Sequence, residues 1–209
     1  MSRARQPPSE TADRLMELAW PTVRGNHERQ VLTLPAEQMG GSDRLAHQTI
    51  TDRHRTWLAG LPLTLELGLG VLAFHGSPTD DLVYLLETVD PTGVRPATVE
   101  EVTDRLGPYA DRPLLLCGHT HLQRTLRLPT GGLVVNPGSV GWPAYDDVHP
   151  YPHVIEAGTP HARYAILEDF SGRWQAEMRA VNYDWELAAR IAESHGRADV
   201  ARALRTGRV

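Results

Sequence analysis

Three short polar clusters, each introduced or followed by glycine and each placed at the end of an apolar run, constrain this chain more than any other feature. They are Gly25-Asn26-His27-Glu28, His75-Gly76 and Gly118-His119-Thr120-His121. The runs before the second and third, 71–74 and 114–117, read as strands. The continuous apolar run Leu114-Leu115-Leu116-Cys117 suits a strand buried on both faces. Residues 21–24 read as a shorter extended stretch that stops at Gly25. In α/β sheets, ligands bind beyond the carboxyl ends of the strands, so clusters distant in sequence can converge on one site.

The residue types in these clusters suggest metal chemistry. His119 and His121 are two apart, and in an extended chain their side chains point the same way. Gly118 is expected to let the backbone turn before them. Neutral imidazole is the commonest metal ligand among side chains. His75 adds a third nitrogen and Asn26 a carbonyl oxygen. Such a mixed nitrogen and oxygen set suits manganese, iron, nickel, cobalt or zinc better than calcium. Any one cluster is weak, and a lone strand-end histidine is more often a capped surface residue. His27, beside a candidate ligand but pointing elsewhere in an extended segment, can give a proton to a leaving alkoxide because its pKa lies near neutrality. Glu28 is the expected carboxylate to orient it.

In this order the clusters resemble the third, fourth and fifth signature segments of the calcineurin-like metallophosphoesterases. The stretch from Leu133 to Gly141, which contains Asn136-Pro137-Gly138-Ser139, is similar to the segment that follows in small bacterial members. The resemblance runs from about Ser9 to about Tyr183. It implies an α/β fold, a two-sheet β-sandwich flanked by helices, around two divalent transition metals bridged by a carboxylate. It also implies a phosphomonoesterase or phosphodiesterase. By resemblance, Asn26, His75 and His119 bind one metal and His121 the other. His27, with Glu28, assists the leaving group.

The family pattern begins with an Asp-x-His and then a Gly-Asp segment, and nothing before Gly25 supplies either. The fold is therefore expected to be N-terminally truncated, with one metal or none where the family has two. The alternative function is a non-catalytic binding or scaffold protein. A start upstream of Met1 is the favoured explanation, with residues 1–8 falling where the tail of the second segment belongs. A missing first strand would expose a sheet edge, open to pairing with a second copy.

The 209 residues are expected to form one domain, with 142–162 a long loop and 185–209 a C-terminal helical tail. Helices are expected over 9–18, 49–58, 98–106, 185–193 and 198–204, and hairpins around Gly131-Gly132 and Ser171-Gly172. His47, His54 and His195 read as solvated, as do His149, His153 and His161 in the loop. Trp142, Tyr145 and Tyr151 are read first as loop packing and second as a stacking surface for an aromatic leaving group.

The net charge of −5 and pI near 6.0 argue against a basic nucleic-acid face. All 21 basic residues are arginine. The single cysteine, Cys117, excludes an internal disulfide and fits a cytoplasmic protein. No apolar run approaches the roughly 20 residues of a membrane span, and the N-terminus lacks the apolar segment of a secretory signal. The expected partner is a small phosphoester, with neither a membrane nor a nucleic acid.

Overall fold

The computed structural model describes residues 8–209. The expectation placed on residues 1–7, that they fall at the tail of a family segment, lies outside the described residues. Four helices come first: α1 (Pro8–Leu18), α2 (Asn26–Thr33), α3 (Gly41–Thr49) and α4 (Asp52–Ala59). They are followed by β1 (Thr64–Glu66), β2 (Val71–Phe74), β3 (Glu87–Asp90), β4 (Gly93–Pro96), α5 (Val99–Leu106), β5 (Leu114–Leu116), β6 (Gln123–Arg127) and β7 (Leu133–Pro137). The remainder comprises β8 (Ala144–Asp147), β9 (His153–Glu156), β10 (Ala162–Phe170), β11 (Arg173–Val181), α6 (Trp185–Ser194) and α7 (Ala198–Thr206).

The central sheet has five strands in the order β1-β2-β5-β7-β6. Its middle three strands are parallel, with Val71 opposite Leu114 and Leu114 opposite Leu133. The apolar runs of β5 and β7 follow from this position, because both faces of these strands are covered. On one face, Leu72, Leu115 and Val134 pack with Val102 and Leu106 of α5 and with Leu85 and Leu86. The Thr98-to-Glu101 capping box starts α5 and aims that apolar stripe at the sheet. Each such side chain, when fully buried, contributes roughly 1.5–3 kcal/mol. On the other face, Val71, Leu114, Leu133 and Val135 meet Ala165, Leu167, Trp174, Ala176 and Met178 of the β10–β11 ribbon. The expected two-layer sandwich is therefore present, with a two-stranded ribbon as its second layer.

Several local expectations are corrected. Residues 142–162 are not one long loop. They hold the antiparallel pair β8–β9, with Tyr145 opposite Ile155 and a cis His149–Pro150 bond between the strands. The proline and aromatic content that reads as a loop instead builds a wall against α7. Residues 21–24 form no strand, and the next cluster opens α2 instead. Residues 185–209 hold the two helices α6 and α7. They share their own small core of Ala189, Ala201 and Leu204, and Arg197 donates to Ser42 Oγ at the start of α3 at 2.6 Å. His54 is buried, not solvated. Its Nε2 meets Asp13 Oδ1 at 2.9 Å, and its ring accepts from Thr51 N–H, tying α1 to the start of α4. No helix among the described residues is long and apolar enough to cross a membrane.

Candidate metal and phosphoester site

The carboxyl ends of the parallel strands converge as the strand-end argument requires. β2 leads directly into His75. β5 leads through Cys117 and Gly118 into His119, and Gly118 N–H donates to His75 O at 2.7 Å, which holds the two strand ends together. The glycines around these segments have steric reasons. A Cβ on Gly25 would lie 2.8 Å from the His75 ring, and one on Gly76 would lie 2.6 Å from Asp80 O. Both approaches are closer than a side chain tolerates, so the chain can bring Asn26 to His75 only with glycine beside it.

Asn26 is buried at the first turn of α2, and its Oδ1 lies 2.8 Å from His75 Nε2. The His75 and His119 rings are 5.0 Å apart between centroids. His119 Nε2 is 3.1 Å from Leu82 O. His121 packs edge-on to Tyr145, with centroids 5.2 Å apart. Its buried Nδ1 has no hydrogen-bond partner among the described residues.

Residues 118–121 are not the extended segment expected. Gly118 does not adopt the left-handed backbone; His119 (φ 65°) and His121 (φ 62°) do. A bulky side chain in that region costs about 1–3 kcal/mol and persists only where its surroundings over-determine it. Buried Asn136, at the end of β7, supplies that determination. Its Nδ2 donates to Gly118 O at 2.7 Å and to Thr120 Oγ1 at 2.9 Å, and its Oδ1 accepts from Gly138 N–H at 2.9 Å. The Asn-Pro-Gly-Ser stretch thus acts as a lock on the histidine loop. A second brace comes from Tyr145, whose hydroxyl lies 2.9 Å from Tyr84 Oη and 3.3 Å from His119 O. His153, read as an exposed loop residue, is buried and bonded to Tyr84 Oη at 3.1 Å. Burial raises the Tyr84 phenol to about 12 and the Tyr145 phenol further, so both remain neutral hydrogen-bonding groups.

The cluster histidines are driven to the neutral form. Burial, then the neighbouring His75 and His121, push His119 down to about 3. Burial is also the main cause that lowers His121, to about 4, and His75. His27 goes the other way. Its Nδ1 lies 2.6 Å from Asp43 Oδ1, and this hydrogen bond raises its pKa against the effect of burial.

The expected role of Glu28 is corrected by the same contacts. Its carboxylate accepts from Gly25 N–H at 2.8 Å and so caps the start of α2. Asp43 of α3 orients His27 instead. Because His27 and Glu28 are successive residues of a helix, their side chains diverge. Asp43 carries no local signal for this role, since it lies 16 residues away in a helix the sequence pattern does not announce.

Among the described residues, no group of three or more His, Cys, Asp and Glu side chains is gathered closely enough to hold a metal. The donors nevertheless fit a divalent transition metal in chemistry. They are neutral imidazoles and an amide oxygen. Ligand imidazoles must be deprotonated, as these are at neutral pH. One buried nitrogen, His121 Nδ1, is left without a partner among the described residues, which a native interior seldom tolerates unless an ion or water supplies one.

Asn26, His27, Asp43, His119 and His121 line one cavity of about 1010 Å³, bounded on its far side by the β8–β9 wall and α7. The His27 ring lies within 17° of parallel to Trp142, at 6.4 Å between centroids. Glu28 and His75 stand outside its lining, with His75 reaching a smaller cavity behind the cluster.

No protein-family model and no curated protein matches the sequence. Solved structures do. A hypothetical protein from Pyrococcus horikoshii OT3 superposes with a TM-score of 0.70 at 16% identity, over 96% of this chain and 79% of that one. A metallophosphoesterase from Sphaerobacter thermophilus superposes with a TM-score of 0.69 at 19% identity, over 96% of this chain and 82% of that one. Identities this low speak to architecture alone. Together with the central sheet and its flanking helices, they give this chain the calcineurin-like metallophosphoesterase fold.

Proposed function

We propose that this chain is a metal-dependent phosphoesterase that hydrolyses its substrate in the cavity between the histidine cluster and the β8–β9 wall. The observation that carries this reading is geometric: Asn26 meets His75 at 2.8 Å, His75 packs against His119, and Asn26, His119, His121 and the Asp43-bonded His27 line one cavity. In support, burial lowers the pKa of His75, His119 and His121, the direction a ligand needs, and the hydrogen bond to Asp43 raises that of His27, the direction a general acid needs.

Asn26, His75, His119 and His121 are the residues that would hold the metal. Bound there, a divalent transition ion would polarise a phosphoryl oxygen and supply hydroxide at neutral pH. The chain's own residues do the rest. Asp43 accepts from His27 Nδ1 and fixes the ring plane, which leaves Nε2 for the substrate. In hydrolysis, water oxygen bonds to phosphorus as the ester P–O bond breaks. The departing oxygen takes the proton from His27 Nε2. The buried Asn136 lock keeps His119 and His121 in place without reorganisation during the reaction.

A second reading, a binding protein without turnover, is favoured by one observation: none of the four donors carries a negative charge, which weakens metal affinity. Turnover of bis-p-nitrophenyl phosphate and p-nitrophenyl phosphate with added manganese separates the two. The phosphoesterase reading expects turnover that His119→Ala abolishes. Absence of turnover with either ester, across manganese, iron, nickel, cobalt and zinc, contradicts it and leaves the binding reading.

A further inference from the structure

The outer part of the cavity differs in chemistry from its histidine end. Its wall carries Leu82, Trp142, Tyr145, Pro150, Val200 and Ala203. Leu82 is 52% exposed, a large apolar side chain facing open space beside His119. Trp142 lies nearly parallel to His27 at a centroid separation near the loose end of the stacking range. His27 therefore covers the indole incompletely. A substrate whose phosphoryl group sits beside His27 has this surface within reach of one of its ester arms.

Charge narrows the choice of arm. Among the described residues lining the cavity, the only permanent cations are Arg105 and Arg197. Arg105 is occupied by the carbonyl oxygens of Tyr84, Leu85 and Glu87 and by Thr88 Oγ1. Arg197 binds Ser42 Oγ and both carboxylate oxygens of Asp199, and its guanidinium lies 5.8 Å from the Trp142 ring centroid. No lysine exists to add another cation. Asp146 and Asp147 lie on the same wall, and the bonds of Asp147 Oδ1 go to the backbone N–H groups of Val148 and His149. This surface repels a second negative charge and offers aromatic and aliphatic contact in its place.

We propose that the substrate is a phosphodiester with a single negative charge at the histidine cluster and an uncharged aromatic or heteroaromatic arm lying on Trp142. Trp142 thereby sets specificity, and phosphomonoesters and polyphosphates are poor ligands. For turnover this rests on the phosphoesterase reading; for binding it does not.

Calorimetric titration of the full chain with diphenyl phosphate, dimethyl phosphate and phenyl phosphate tests it. Diphenyl phosphate should bind about tenfold tighter than either of the others, the equivalent of one aromatic contact of about 1.4 kcal/mol. Trp142→Ala should bring diphenyl phosphate down to the level of dimethyl phosphate, while Trp142→Phe keeps most of the preference and controls for folding. Binding of phenyl phosphate as tight as that of diphenyl phosphate, a preference that survives Trp142→Ala, or no binding of any ester overturns the proposal. A Trp142-dependent preference without turnover upholds it and removes the hydrolase reading. Turnover of p-nitrophenyl phosphate at a kcat/KM equal to that of bis-p-nitrophenyl phosphate does the reverse.

Discussion

The two ends of the histidine site use the same side chain in opposite ways. At the strand ends, half-buried His75, His119 and His121 lie near one another with no carboxylate among the donors, and each is pushed below the ordinary histidine range. At the start of α2, half-exposed His27 leans on buried Asp43 and is pushed above it. In the proposed reading, position relative to a carboxylate, not residue type, separates the ligand role from the acid role. Burial alone strips the proton; a hydrogen bond to an anion returns it.

The largest effect on that contrast should come from His27→Ala. Removing a general acid should lower kcat by about 10²–10⁴-fold while metal binding persists, as read by steady-state kinetics beside a metal titration. A loss of metal affinity together with activity would merge the two ends into one and break the comparison.

Asp43→Asn should follow, with kcat lower by about 10–100-fold, the usual effect of losing an orienting partner. The variant should also shift the alkaline limb of the kcat profile to lower pH, because His27 then loses its proton earlier. Stability carries the same sign. The raised pKa means that the pair's contribution is fully present below the unfolded histidine pKa of about 6.5. It is lost as pH rises through the folded value, and Asp43→Asn should flatten that dependence in denaturant titrations. A pH profile unchanged by Asp43→Asn would remove Asp43 from its assigned role.

Asn136→Ala tests the other end. It takes the side-chain partner from Thr120 Oγ1 and Gly138 N–H and leaves Gly118 O with Thr120 N–H alone, and each buried group left unpaired costs about 1–3 kcal/mol. Urea midpoints should fall accordingly. Metal affinity should weaken as His119 and His121 relax from their left-handed conformations, with the His27 titration left in place.

The smallest effect on chemistry is expected from Glu28→Ala. The variant loses a helix cap worth about 1 kcal/mol and should keep its kcat and pH profile. A collapse of kcat with stability intact would restore Glu28 as the partner of His27.

These contrasts also explain what could be read from the sequence. The apolar runs of β2 and β5 and the glycine-rich hairpin turns are strong local signals, because buried parallel strands and tight turns restrict residue choice. Asn26, His27, His119 and His121 therefore emerge with their shared cavity, and His75 beside it. The backbone of residues 118–121 was not legible. Left-handed histidines are disfavoured locally and exist here because Asn136 and Tyr145 hold the loop from other strands. Asp43, Tyr84 and His153 were hidden for the same reason: each acts across long sequence separations, 69 residues in the Tyr84–His153 pair. Glu28 was misassigned because its capping contact and an orienting contact demand the same residue type at the same place. The β8–β9 pair was missed because its prolines and acids favour turns.

The central claim is the proposal that Asn26 at the start of α2, with His75, His119 and His121 beyond the strand ends, holds a metal independently of His27. Calorimetric titration with manganese and with zinc, comparing the unaltered chain with His119→Ala, His121→Ala and His27→Ala, tests it most directly. The account predicts saturable binding near one ion per chain that is lost in His119→Ala, weakened in His121→Ala and retained in His27→Ala. Binding unchanged by His119→Ala, or no saturable binding by the unaltered chain, would contradict it.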